Sequence, residues 1–191
     1  MSERKVTRTK TTDVIPLDDG RFRFEARLTD MSYGGNPGND SDPSPIHDLQ
    51  LTATVGGPDL TIEEIEVRPQ TLPYRTCPFV LPLVGDLVGR SLTRGWRKAV
   101  LELSGGTRGC THINTLLLGL SEMQAMVIFL RMNEHVAHAP STREDGSWIA
   151  VGLTLAPRLS DACFSLREDG PVVQRGRAAV ARSTNCDDVA D

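Results

Sequence analysis

The sequence predicts an α+β fold: an antiparallel three-strand meander followed by helices packed on one face. Three observations carry this expectation. Residues 22–29 and 48–55 alternate apolar and polar side chains, which is the period of a half-buried strand. The turn sequences Asp18-Asp19-Gly20 and Gly56-Gly57-Pro58-Asp59 punctuate them. From Pro78 the apolar spacing changes to that of a helix. The chain has 191 residues, of which 39% are hydrophobic and 24% charged. That suits one globular domain, expected over residues 13–173 between a flexible basic tail at 1–12 and a flexible C-terminal tail at 174–191.

Taken in order, Phe22, Phe24, Ala26 and Leu28 form the inward face of the first strand. Residues 31–45 are rich in Gly, Asn, Asp, Ser and Pro without periodicity, and are expected to be a mobile loop. Leu49, Leu51, Ala53 and Val55 form the inward face of the second strand. In a third strand over residues 60–67 the apolar phase slips, with Leu60 and Ile62 in step and Ile65 and Val67 one residue off. Strict alternation would bury Glu64, so a bulge at Glu63-Glu64 is the cheaper solution. Phe79, Val80, Leu83, Val84 and Leu87 then predict a helix stopped by Gly89, and residues 96–103 a second one. Residues 110–134 predict a long third helix with Ile113, Leu116, Leu117, Leu120, Val127 and Ile128 on one face. Residues 139–146 read as a polar loop, and 148–166 fit either a strand or a helix.

Charge and composition exclude several function classes. The formal charge of −4 gives no drive toward nucleic acid or anionic lipid. Arg4, Lys5, Arg8 and Lys10 lack the interleaved aromatics of a nucleic-acid arm, so they predict a solvated tail. No apolar signal segment follows them, and Glu122 and Arg131 interrupt the apolar runs before a membrane span of about 18 residues is reached. A cytoplasmic, reducing location is expected, with neither nucleic acid nor membrane as partner. Four cysteines are too few for a disulfide-dense scaffold. No Gly-x-Ser-x-Gly elbow supports serine hydrolase chemistry.

The soft ligands lie at element junctions. His47 opens the second strand, Cys77 precedes the first helix, and Cys110 and His112 open the long helix. Junctions let side chains converge at one end of a layered domain while the scaffold holds them still. An imidazole–thiolate set suits zinc, iron or an iron–sulfur cluster, and Asp48 beside His47 is a further oxygen ligand or hydrogen-bond partner. The candidate metal ligands are therefore His47, Asp48, Cys77, Cys110 and His112. Each also has a plainer role open to it, as a packed thiol or a hydrogen-bonded histidine. A helix N-terminus favours thiolate at Cys110. His47 is the expected base for that thiolate, because residues two apart on a helix, such as Cys110 and His112, do not share a face. His135 and His138 are a second, weaker histidine pair, and Cys163 reads as core and Cys186 as tail.

The runs Pro45-Ile46-His47-Asp48-Leu49, Pro73-Tyr74-Arg75-Thr76-Cys77-Pro78 and Gly105-Gly106-Thr107-Arg108-Gly109-Cys110-Thr111-His112, with Leu87-Val88-Gly89, Gly95-Trp96 and Asp161-Ala162-Cys163, together resemble the bacterial domain-of-unknown-function family 2889. The likeness runs over about residues 7–173 and implies a shared fold and pocket, with no activity attached. The order of elements also resembles iron–sulfur cluster scaffold proteins. By that resemblance His47 takes a cysteine's place, Asp48 matches the scaffold's aspartate, and Cys77 and Cys110 match its other cysteines. A histidine in that place fits a mononuclear zinc or iron site, or a more oxidising cluster. Three functions stay open: a metal-binding domain, an enzyme of the lyase or hydrolase class acting on a small organic molecule through that metal or through Cys110 with His47, and a structural or partner-binding domain with core cysteines.

Overall fold

A computed structural model describes residues 4–34 and 43–187. The chain falls into two compact units, Met1–Gln124 and Ala125–Asp191.

The first unit is built on a four-stranded antiparallel sheet with strands in sequence order: β1 (Lys5–Pro16), β2 (Phe22–Tyr33), β3 (Ser44–Gly56) and β4 (Thr61–Thr71). The expected meander is present with one strand more than expected. The segment read as a basic tail is β1, paired along its whole length with β2. Its residues are mostly exposed on both faces, so it has no apolar alternation to detect. Its β-branched residues, Val6, Thr7, Thr9, Thr11 and Thr12, suit an extended backbone, and Arg8 and Lys10 protect an edge from further pairing. Gly20, at φ 82°, takes the left-handed conformation needed in the β1–β2 turn. Of the loop expected at 31–45, Met31–Tyr33 belong to β2 and Ser44 and Pro45 to β3; residues 35–42 lie outside the described residues.

The alternation read from β2 and β3 matches their burial. Phe24, Leu28, Leu49 and Val55 are fully buried. The expected bulge in β4 is present at Glu63: Thr54 pairs with Glu64 and Val55 with Ile62, which leaves Glu63 and Glu64 exposed and Ile62 buried. The carboxylates stay in water at the cost of one ladder position.

A 3-10 helix over Cys77–Leu87 follows, with Pro82 inside it. The helix expected there is thus of the 3-10 form, and Pro82 has no N–H to donate to its ladder. The return segment bonds to the start of β4 through Gly89 N–H to Ile62 O at 2.8 Å and Ile62 N–H to Arg90 O at 2.9 Å. Helix α1 (Trp96–Ser104) begins after Gly95, and the Trp96 Nε1–H donates to Leu117 O at 2.7 Å. That bond fixes α1 against α2 (Thr111–Leu120), which buries Ile113, Leu116, Leu117 and Leu120.

The long helix expected over 110–134 is interrupted by a 3-10 turn at Ser121–Met123 before α3 (Gln124–Asn133). By length and composition alone, 23 residues with a mean hydropathy of 1.6 in an 18-residue window, Thr111–Asn133 resembles a membrane span. The 3-10 turn interrupts it, and α2 buries a stripe on one face. In the second unit, the polar loop expected at 139–146 contains a short helix, α4 (Pro140–Glu144). The ambiguous stretch resolves as helix α5 (Ser147–Leu155) and two 3-10 turns, with Pro157 ending the helical run. The expected C-terminal tail belongs to α6 (Pro171–Asp187), which packs on α5: a Cβ on Gly176 would lie 2.7 Å from Ile149.

Phe24→Ala should lower unfolding free energy by about 3–5 kcal/mol through the cavity it leaves. Urea unfolding measures this, with the denaturant slope expected to stay constant.

Candidate metal centre

Strand register sets up the site. Arg8 pairs with Asp30, and Asp30 pairs with His47, which makes a row across β1, β2 and β3. Asp30 has the inward parity of Phe22, Phe24, Ala26 and Leu28, and it is 4% exposed. His47 has the inward parity of Leu49, Leu51, Ala53 and Val55. The apolar face of the sheet therefore ends in a carboxylate and an imidazole. Immediately beyond, the register shifts: Met31 pairs with Pro45 and Ile46 is skipped. Bulges of this kind re-aim side chains at strand ends.

A carboxylate this deep requires partners. Arg8 grips Asp30 with two parallel bonds, Nε–H to Oδ1 at 2.7 Å and NH2 to Oδ2 at 2.8 Å. The Nδ1 of His47 lies 2.9 Å from Asp30 Oδ2. From α2, His112 brings Nε2 to 3.6 Å from the same oxygen. The two imidazoles stack, with ring centroids 3.7 Å apart and planes inclined by 30°. Ligand atoms of Asp30, His47 and His112 all lie within 4.8 Å of one another, so the three can hold a metal ion.

The start of α2 is pinned by its surroundings. A Cβ on Gly109 would stand 2.3 Å from Ser104 O, so only glycine permits this approach. Asn114 Nδ2 donates to Ser104 O at 2.8 Å, and Ser104 Oγ donates to Asn114 Oδ1 at 2.5 Å. These bonds tie the first turn of α2 to the end of α1 and hold His112 in place.

The structure brings together two of the expected metal ligands, His47 and His112, and adds Asp30. Asp48 is not with them. It follows His47 in an extended strand, so it projects from the opposite face, where Arg27 binds it through Nε at 2.9 Å and NH2 at 2.6 Å. Cys77 opens the 3-10 helix and is not among the converging ligand atoms. Cys110 is outside that group too, but its Sγ lies 3.6 Å from His112 Nδ1. The helical-face argument against this pair fails because Cys110 is the N-cap residue, with extended backbone at φ −113° and ψ 127°. His112, rather than His47, is the histidine next to the thiol. His135 and His138 form no metal-ligand group among the described residues; His138 packs on the rings of Phe129 and Trp148. Cys163 is exposed instead of buried, because it sits in the irregular segment after α5.

Asp30 and Arg8 were missed in the sequence. Asp30 had a signal: it continues the alternation of β2 by one more inward position. Arg8 had none, since its strand carries no apolar pattern.

A family model matches residues 6–126. The chain belongs to the family described as protein of unknown function, DUF2889. The match begins in β1 and ends within two residues of the first unit's boundary at Gln124. The DUF2889 region therefore contains Arg8, Asp30, His47, Cys110 and His112, whereas the Asp161-Ala162-Cys163 likeness falls outside it. Neither curated proteins nor solved structures yield a match, so the iron–sulfur scaffold likeness gains no support.

Electrostatics leave Asp30 and His112 in ligand-competent states at neutral pH. The Arg8 guanidinium holds the Asp30 carboxyl below the ordinary carboxylate range, against the opposing effect of burial. Burial pushes the His112 imidazole below its usual value; His47 and Arg8 push the same way and Asp30 opposes them. An ionised carboxylate and a neutral imidazole are the forms that bind metal.

Both shifts make acid destabilising. His112, depressed on folding, contributes stability above its unfolded value of about 6.5, lost as pH falls through its folded value. Asp30 contributes stability above about pH 3.9, lost as pH falls through its lower folded value. Denaturant midpoints measured from pH 8 to 3 should fall in these two windows. His112→Ala should flatten the upper one and Asp30→Asn the lower one.

Proposed function

We propose that this DUF2889 protein binds a divalent transition metal, zinc or iron, through Asp30, His47 and His112. The observation that carries the reading is the meeting of one buried carboxylate and two imidazoles at the end of an otherwise apolar sheet face. Metal–ligand bonds of about 2.0–2.2 Å put neighbouring ligand atoms roughly 3 Å apart. The separations of 2.9 and 3.6 Å to Asp30 Oδ2 come close to that before any adjustment. Two histidines and one carboxylate are a donor set suited to zinc or non-haem iron, and they leave positions for water or a small organic substrate. Arg8 serves as the outer partner that orients the carboxylate. A cytoplasmic location belongs to this proposal, because a reducing compartment would keep Cys110 a thiol beside His112.

A second reading has its own observation. Cys110 Sγ, His112 and Asp30 Oδ2 lie in sequence, with 3.6 Å on each side of the imidazole. With Nε2–H directed at Asp30, His112 Nδ1 is free to accept the thiol proton. Cys110 then acts as nucleophile toward a small organic substrate, in the hydrolase or lyase class.

Metal analysis and calorimetric titration with Zn²⁺ and Fe²⁺ separate the two. The metal reading expects one equivalent bound. His47→Ala or His112→Ala should weaken binding by more than the about 10–100-fold that an outer partner costs, and Asp48→Asn and Cys77→Ser should leave it unchanged. Absence of binding, together with selective alkylation of Cys110 over Cys77 that is slowed by His112→Ala, would transfer the assignment to the thiol reading.

A further inference from the structure

The second unit lies almost wholly outside the DUF2889 match and carries a cavity of its own, about 370 Å³ in volume. Its walls come from α3, α5, α6 and the 3-10 turns after α5, and they are predominantly apolar. Ile128, Phe129, Trp148, Leu166 and Val172 are all half-buried there, each with one side on the cavity. Phe129 and Trp148 meet edge to face, with ring centroids 5.2 Å apart, and so form a fixed aromatic wall. Several large apolar side chains left half-covered around one space of this size are typical of a small-molecule pocket.

Two arginines, Arg143 and Arg175, complete the lining. Three other arginines of the same unit are engaged, Arg167 with Asp169, Arg177 with Glu168, and Arg182 with the carbonyl of Asp145, whereas Arg158, which does not line the cavity, is not. Among the described residues, the guanidinium groups of Arg143 and Arg175 have no hydrogen-bond or ion-pair partner. They are supplied by different elements, α4 and α6, and both line the apolar, aromatic-walled cavity. That pairing is complementary to a molecule with an apolar body and an anionic head. A planar guanidinium matches a carboxylate with two parallel bonds.

We infer that this cavity binds a small apolar carboxylate, its body against Phe129 and Trp148 and its carboxylate held by Arg143 and Arg175. The site is independent of the metal centre and stands or falls separately from it.

The test titrates the full chain by calorimetry with 4-phenylbutyrate and with 4-phenylbutanol, which keeps the apolar body and removes the charge. Saturable one-site binding of the acid is expected, about tenfold tighter than that of the alcohol. Arg143→Ala and Arg175→Ala remove exposed side chains and should not affect folding. Each should weaken the acid by about three- to tenfold, discounted for the exposure of the rim, and leave the alcohol unchanged. Val172→Trp should fill the cavity and abolish binding of both, with thermal unfolding as the control that the chain still folds. No saturable binding of the acid, equal affinity for acid and alcohol, or indifference to both arginine substitutions would each overturn the inference.

Discussion

The ion pair between Arg8 and Asp30 is the interaction on which the first unit's polar end depends. Asp30 stands where an apolar residue would continue the inward face of β2, and at 4% exposure an unpartnered carboxylate there would be strongly destabilising. The two-bond grip of Arg8 compensates for that burial and requires β1 to lie in register along β2. An edge strand with little apolar surface thus has a specific reason for its position. The same carboxylate orients His47 from β3 and faces His112 from α2. One buried charge links three strands and a helix.

That arrangement accounts for features that otherwise look unrelated. The register shift after Asp30 turns the ends of β2 and β3 just beyond the carboxylate–imidazole pair. Gly109 allows the chain to pass against Ser104, and the Ser104–Asn114 bonds then anchor the first turn of α2. The extended backbone of Cys110 brings its thiol beside His112. The helix N-terminus is built so that two side chains separated by one residue meet, which a continuous helix would prevent. The DUF2889 match spans every residue of this construction and ends close to the first unit's boundary. The second unit, with its aromatic pocket, lies almost wholly outside the matched residues.

Much of the scaffold was legible before the structure. Alternation in β2 and β3, the phase slip answered by a bulge at Glu63, and the apolar stripe of α2 all follow from the cost of burying charge and the gain of burying apolar area. What misled was equally physical. A mostly exposed edge strand shows no apolar alternation, so β1 resembles a tail. The apolar run at Cys77–Leu87, which contains Pro82, forms a 3-10 helix. Junction placement does not say which face a side chain takes: Asp48 pairs with Arg27, and neither it nor Cys77 is in the converging group of Asp30, His47 and His112.

The sequence alone determined the fold class, the inward faces of the strands, the family, and two histidines of the candidate centre, because each leaves a local pattern of spacing or motif. Only the tertiary structure decided that Asp30 joins them, that Arg8 secures it from 22 residues away, and that Cys110 meets His112. Those pairings depend on strand register and on the conformation of one capping residue, and neither of these is written in the local spacing of the chain.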